Sequence, residues 1–393
     1  MNYPFSRREF LQTATVGLWL GLHGNGASAA EVPSGSAQVG FSFILLGDLH
    51  FDQTEHHDLD WVRREKPNDV RQIEGYCRNT REVTPALFAA VRATVADLNR
   101  TPASQAAFVM QVGDLVEGLC GREDLAVRQN RDALDFIGAA QLGAPFLFTK
   151  GNHDITGPGA AAAFGSVFHP FLARQVRQVT PAAGNGELAG ACYSVEHGNA
   201  QFVCFDAYDA AKSLDWFEAV AAKRSAEHFF VVVHPPVVPY GARSTWHLFA
   251  SPKEAARREK LLTLLGDQHA LVLGGHIHRY NILSRRAGRG RFIQIALSSV
   301  LSAAHASPKT VLSGVDHYTP DQIIVEPTFS PANAAERRAV YEKERPFVDA
   351  FDYADLPGYA VVTVAGPQVT LQMHPGTSRT PWRTVNLTAV ARS

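Results

Sequence analysis

The stretch Gly151-Asn152-His153-Asp154 follows the apolar run Pro145-Phe146-Leu147-Phe148, and four other places in the chain repeat that design. Phe41 to Leu46 ends in Gly47-Asp48-Leu49-His50, and Ala107 to Val112 ends in Gly113-Asp114. Phe229 to Val233 ends in His234-Pro235-Pro236, and Ala270 to Leu273 ends in Gly274-Gly275-His276-Ile277-His278. Short continuous apolar runs bounded by Gly and Pro read as strands buried on both faces. In α/β sheets, ligands bind just beyond the carboxyl ends of such strands. Five such ends side by side would bring Asp48, His50, Asp114, Asn152, His153, His234, His276 and His278 to one edge of a sheet. Carboxylate oxygens suit hard or borderline divalent ions, and imidazole suits the transition metals. Leaving His153 aside, these donors are too many for one tetrahedral ion and fit two ions sharing a carboxylate. Asp114, alone in its motif, is the natural bridge.

Taken in order, Asp-x-His at 48–50, Gly-Asp at 113–114, Gly-Asn-His-Asp at 151–154, a single His234 after a strand and Gly-His-x-His at 275–278 resemble the calcineurin-like metallophosphoesterase family. The resemblance spans roughly residues 40 to 300, and five motifs matching in order make it specific. It implies an α/β fold, a four-layer sandwich of two mixed β-sheets flanked by helices, with the metal site at the C-terminal ends of the strands. It further implies one ion held by Asp48, His50, Asp114 and His278, and a second by Asp114, Asn152, His234 and His276. The cofactors would be two divalent ions, or one trivalent and one divalent, with Mn, Fe or Zn as the candidates.

The chemistry so implied is hydrolysis of a phosphodiester or phosphomonoester by a hydroxide bridging the ions, without a side-chain base. His153, adjacent to a ligand but not one itself, would assist the leaving group. Asp154 would orient His153 and raise its pKa, although a helix N-cap before Ile155-Thr156 is an equally ordinary use for that residue. The neutral amide of Asn152 keeps the site slightly positive and so attractive to a phosphate oxyanion. In the purple acid phosphatases a tyrosinate stands three residues after the bridging Asp; here that position is Glu117, which points to a colourless, non-purple site. The rival reading is a non-catalytic protein that binds a phosphoester or other ligand on the same fold, and loss of a ligand or of the catalytic His would mark it. Neither Gly-x-Ser-x-Gly nor His-Glu-x-x-His is present to suggest another hydrolase chemistry.

The 393 residues are 46% hydrophobic and 19% charged, a globular balance that excludes disordered and fibrous classes. A net charge of −1 argues against nucleic acid or an anionic membrane as partner. The expected partner is a small phosphate-ester substrate. Residues 1–29 read as a Tat signal peptide, with Arg7-Arg8 followed by Phe10-Leu11, an apolar run from Ala14 to Leu22, and Ala27-Ser28-Ala29 for cleavage. That predicts contact with the Tat export machinery, a periplasmic or secreted destination and no stable membrane anchor, the apolar run being too short to span a bilayer.

Residues 30–38 read as a flexible leader, and 39–393 as one catalytic domain with cap insertions near 52–84 and 302–352. The first insertion either shapes substrate access or is a solvated cap. His56 and His57 within it are expected on the surface. Helices are predicted over Pro85–Leu98, Asp124–Leu142, Ala160–Gln178 and Ala332–Glu344. The loop from Pro235 to Pro252, with Arg243, Trp246 and His247, either holds the organic part of an ester or packs. Tyr359–Val364 and Gln368–Met373 suggest a hairpin at a sheet edge. Cys192 and Cys204 flank a turn at Gly198-Asn199 that would aim their thiols to opposite faces. A bridge between Cys77 and Cys120 is the one disulfide left open.

Overall fold

The computed structural model describes residues 40–180, 188, 190–241, 245–320 and 334–392. The expected signal (1–29) and leader (30–38), Arg243, and the 321–333 part of the second insertion lie outside these residues.

Two mixed sheets form the centre of the protein. The first runs in the order Arg383–Asn386, Gln368–Pro375, Gly358–Ala365, Phe41–Leu46, Ala106–Gln111, Phe146–Phe148. The second runs Val311–Ser313, Val348–Ala354, Tyr280–Ala287, Gly290–Ala296, Leu271–Gly274, His228–Val232, Ala200–Cys204, Tyr193–His197. Each has a parallel heart, 41–46 beside 106–111 and 146–148 in one, and 200–204, 228–232, 271–274 and 290–296 in the other. Parallel strands need crossovers, and helices such as Thr84–Leu98, Glu123–Ala140, Ala210–Ala221 and Ala255–Asp267 supply them. Strands covered on both faces are mostly apolar, as is 41–46, which is buried at every position and satisfies its one polar side chain by a 2.9 Å bond between Ser42 Oγ and Thr363 Oγ1.

The sheets pack face to face through aromatic side chains. Phe202 and Phe230 stack with centroids 4.5 Å apart, and Phe43 from the first sheet meets Phe202 edge-on at 5.1 Å. Alternate residues of the same strands, Val203, Phe229 and Val231, turn outward to a second core shared with Leu214, Phe217, Leu261 and Leu265 of the flanking helices. This is the two-sheet α/β fold with helical outer layers that the motif order implied. Its consequence for function is positional: the parallel strands of both sheets finish at one rim.

Two expectations need correction. The hairpin of Gly358–Ala365 and Gln368–Pro375 is not at an edge, because its first strand pairs antiparallel with Phe41–Leu46 and its second is covered by Arg383–Asn386. His56 and His57 are buried, not on the surface, because acidic partners go in with them. His56 Nε2 lies 2.9 Å from Asp132, and His57 Nε2 2.8 Å from Asp52. The four cysteines are free, which answers the question the sequence left open between Cys77 and Cys120. Cys77 donates instead to Asp52 at 3.5 Å, and burial together with the Asp52 charge pushes its thiol up to about 12. Cys204 stands opposite Tyr193, the register expected from the 198–199 turn. Among the described residues no helix is long and apolar enough to cross a membrane.

Candidate metal centre

Four of the seven candidate ligands sit in strained turns. His50, Asp114, His276 and His278 have φ of 47°, 55°, 70° and 57°, the left-handed region that side chains other than glycine avoid. Such conformations cost on the order of 1–3 kcal/mol each and persist where the surrounding structure dictates them. Two glycines make room for the crowding. A Cβ on Gly151 would lie 2.1 Å from Asp114 Oδ1, and one on Gly275 2.2 Å from Asp48 Oδ1.

The donors gather in two groups. Asp48, His50 and His278 form one, with His278 Nε2 3.1 Å from both Asp48 Oδ2 and His50 Nε2. Asp114, His234 and His276 form the other; His234 Nε2 lies 3.0 Å from Asp114 Oδ2 and 3.2 Å from His276 Nδ1. Asn152 joins the second, its Oδ1 2.9 Å from His276 Nδ1 and 3.2 Å from His234 Nε2. The same Asp114 Oδ2 is 3.8 Å from His50 Nε2, so a single oxygen faces both groups.

These spacings fit cations. Ligand bonds of about 2.1 Å in tetrahedral or octahedral geometry put neighbouring donors roughly 3 to 3.4 Å apart. The tautomers fit as well. Val112 O lies 2.9 Å from His234 Nδ1, and Glu117 Oε2 2.7 Å from His50 Nδ1. Each acceptor draws the ring proton to Nδ1 and leaves the Nε2 lone pair turned inward. Lone pairs facing one another at 3.1 Å repel unless a cation lies between them.

The charges of the bare residues show the same tension. Burial disfavours charge on His234, but the Asp114 and Asp48 carboxylates outweigh it and lift its pKa to about 9. Burial and the His234 charge hold His276 down to about 3. Asp114 stays well below the usual carboxylate range despite its burial, because His234, His153 and His50 surround it.

His153 stands outside both ligand groups, with its ring 4.7 Å from that of His50. Its Nδ1 is 2.8 Å from the carbonyl oxygen of Glu117 and 3.2 Å from Glu117 Oε2, which leaves Nε2 as the nitrogen available to a substrate. Burial opposes its protonation, yet Glu117 and Asp114 together raise its pKa well above the ordinary imidazole range.

The pairing of Asp154 with His153 expected from the sequence is not what the chain adopts. The Asp154 carboxylate accepts backbone N–H bonds from Gly151 at 2.7 Å, Asp114 at 3.1 Å and Val116 at 3.1 Å. Three amides pointing at one buried carboxylate consume its lone pairs, and the result is a clamp between the 113–116 and 151–154 turns. Burial, then the Asp114 charge, raises the Asp154 pKa to about 6.

Glu117 is the carboxylate that orients His153, and sequence reading treated that position only as a missing tyrosine. Its apolar neighbours Leu115 and Val116 were the available sign that it would be buried. Also unforeseen are Tyr76, stacked on His50 with centroids 4.3 Å apart, and Gln72, which donates to Glu117 Oε1 at 2.8 Å. Both come from the helix Val70–Glu82, so the first insertion reaches the centre. Trp246 stands over His276 at 4.9 Å, whereas His247 is buried, hydrogen-bonded to Thr245 O, and lowered to about 4 by burial and Arg258.

Comparison with known proteins bears on this arrangement. The family profile for calcineurin-like phosphoesterases matches residues 41–280, a span that contains all seven donors and His153. No curated protein matches the chain. Among solved structures, a purple acid phosphatase from yellow lupin (Lupinus luteus) seeds superposes with TM-score 0.50 at 13% identity, covering 88% of this chain and 53% of its own. A dimetal phosphatase from Danio rerio gives 0.48 at 14%, covering 88% and 98%, and PhoD gives 0.48 at 12%, covering 88% and 68%. At such identities the likeness is one of fold. The profile match over more than half the chain settles the rest: this protein belongs to the calcineurin-like phosphoesterase family.

Proposed function

We propose that the chain hydrolyses a small phosphate ester, a diester or a monoester, at two metal ions. Asp48, His50, Asp114 and His278 would hold one, and Asp114, Asn152, His234 and His276 the other. When bound, such ions supply Lewis-acid activation of water and of the phosphoryl group at neutral pH. The observation that carries the reading is Asp114 Oδ2, which faces His234 Nε2 at 3.0 Å and His50 Nε2 at 3.8 Å and so links the two donor groups.

The protein's own residues supply position and a proton. His153, held through Nδ1 by Glu117, presents Nε2 to the departing oxygen, and help of this kind is worth roughly 10² to 10⁴ in rate. All seven ligand positions carry ligating side chains and His153 is in place, so nothing favours a protein that binds without turnover. With Glu117 where purple relatives have tyrosine, the loaded enzyme should be colourless. We propose export through the Tat route from Arg7-Arg8; replacing both with lysine should leave the chain in the cytoplasm.

The test is metal analysis of the purified protein with hydrolysis of bis(p-nitrophenyl) phosphate and of the monoester, for wild type and His153→Ala. We expect about two ions per chain, loss of activity on chelation, and a 10²- to 10⁴-fold drop in the variant. Full activity after complete chelation would discard the reading.

A further inference from the structure

We infer that Tyr208 is a substrate-binding group, its phenol donating a hydrogen bond to a phosphoryl oxygen beside Asn152. The inference rests on the metal-dependent reading above and adds a residue that neither the family motifs nor the sequence brought forward. Tyr208 follows the strand Ala200–Cys204, the neighbour in the sheet of His228–Val232, whose end carries His234. It therefore sits at one more strand end on the same rim.

Its position is fixed from behind. The Tyr208 N–H donates to Asp206 Oδ1 at 2.9 Å, and Asp206 Oδ2 pairs with Lys150 Nζ at 2.5 Å. Lys150 immediately precedes Gly151-Asn152, and the Thr149 hydroxyl donates to Phe205 O at 3.4 Å. The turn bearing Tyr208 and the turn bearing Asn152 and His153 are thus joined at two places. From this base the partly buried phenol reaches the metal centre, where its hydroxyl lies 3.4 Å from Asn152 Oδ1.

That bond is long, near the limit at which a hydrogen bond still counts. Asn152 Oδ1 is also the atom the second ion would claim. A phenol loosely attached to a ligand oxygen is easily redirected toward a better acceptor, and a phosphate oxyanion is one, since charged acceptors make bonds about twice as strong as neutral ones. An oxyanion bound beside Asn152, His234 and His276 would lie next to that amide and within reach of the same hydroxyl. His153 stands on the His50 side of the pair and Tyr208 on the Asn152 side. One then serves the leaving oxygen, while the other grips a phosphoryl oxygen that stays behind.

Tyr208→Phe removes the hydroxyl and keeps the ring. In metal-loaded wild type and variant, three quantities are compared: metal content per chain, calorimetric affinity for inorganic phosphate, and kcat/KM for bis(p-nitrophenyl) phosphate. The expected result is unchanged metal content, phosphate bound about tenfold or more weakly, and a fall in kcat/KM of similar size. Unchanged phosphate affinity overturns the inference. So does loss of an ion from the variant, which would make Tyr208 a support for Asn152 alone, and so does a wild type that binds no phosphate. Should the loaded wild type bind phosphate yet hydrolyse neither ester, the hydrolase reading falls while the affinity ratio still decides Tyr208.

Discussion

Glu117 Oε2 lies 2.7 Å from Nδ1 of His50, so a carboxylate sixty-seven positions away holds the ring of a metal-ligand candidate in place. Burial works against its charge, but His153 and His50 outweigh that and bring the Glu117 pKa to about 2. A carboxylate behind a ligating imidazole fixes its tautomer and strengthens the nitrogen in front, and removing such a partner typically costs 10- to 100-fold in metal affinity. Glu117→Gln should weaken the ion at Asp48, His50 and His278 by about that factor and leave the ion at His234 and His276 less affected. Competition titration against a chelator measures both sites, and equal affinities in wild type and variant would rule out the role.

Asp154 should behave as a stability residue. Its three backbone bonds join the turns that carry Asp114 and Asn152, and none of them goes to His153. Hydrogen bonds to a charged group contribute about 1.5–3 kcal/mol each. Asp154→Ala should therefore lower unfolding stability by at least about 3 kcal/mol in urea titrations, while the pH profile of the surviving activity keeps its shape. A variant of normal stability whose profile is displaced would return Asp154 to the side of His153.

How far the sequence could be read depended on the range of the interaction. Asp48, His50, Asp114, Asn152, His276 and His278 are announced by an apolar run and a nearby glycine, and His234 by an apolar run and the prolines that follow it, all within a few residues. Strand ends of a parallel sheet meet at one rim, so local motifs sufficed to bring them together. Nothing local, by contrast, says that Gly358–Ala365 inserts beside Phe41–Leu46, more than three hundred residues away, so its alternating pattern alone reads as an edge hairpin. The burial of His56 is just as invisible locally, since its partner Asp132 comes from the helix Glu123–Ala140; the partner of His57, Asp52, is by contrast a near neighbour in the chain. Proximity in sequence pairs Asp154 with His153, but three backbone amides outcompete the neighbouring ring.

The glycines beside the ligands should be intolerant of even one methyl group. A Cβ on Gly275 would fall 2.2 Å from Asp48 Oδ1, and one on Gly151 equally close to Asp114 Oδ1 at 2.1 Å. Neither carboxylate can retreat, because His276 N–H holds both Asp48 oxygens and His153 N–H holds Asp114 Oδ1. Gly275→Ala should mainly lose the ion at Asp48, and Gly151→Ala, which displaces the shared carboxylate, should lose both. Metal content per folded chain, checked alongside circular dichroism, reads the difference. Full loading of Gly151→Ala would show that the shared carboxylate has more freedom than its contacts allow.

Acid stability should depend on Glu344, far from the metal ligands in the chain. This carboxylate is 3% exposed and accepts from Arg258 Nη2 at 2.7 Å and Arg285 Nε at 2.8 Å. Burial alone would raise its pKa, but the two guanidinium groups more than offset that and lower it. A carboxylate depressed in the folded state favours folding above its unfolded pKa, near 4.3, and loses that contribution as pH falls through the folded value. Glu344→Gln leaves two buried arginines without their counter-charge, which at neutral pH should cost about 3–5 kcal/mol. Below about pH 4 the wild type gives up the same stabilisation, so the gap between wild type and variant in urea midpoint should narrow steadily with acid. A gap that stayed constant from pH 7 down to pH 3 would mean the Glu344 charge contributes nothing, and that only its shape is needed between the two arginines.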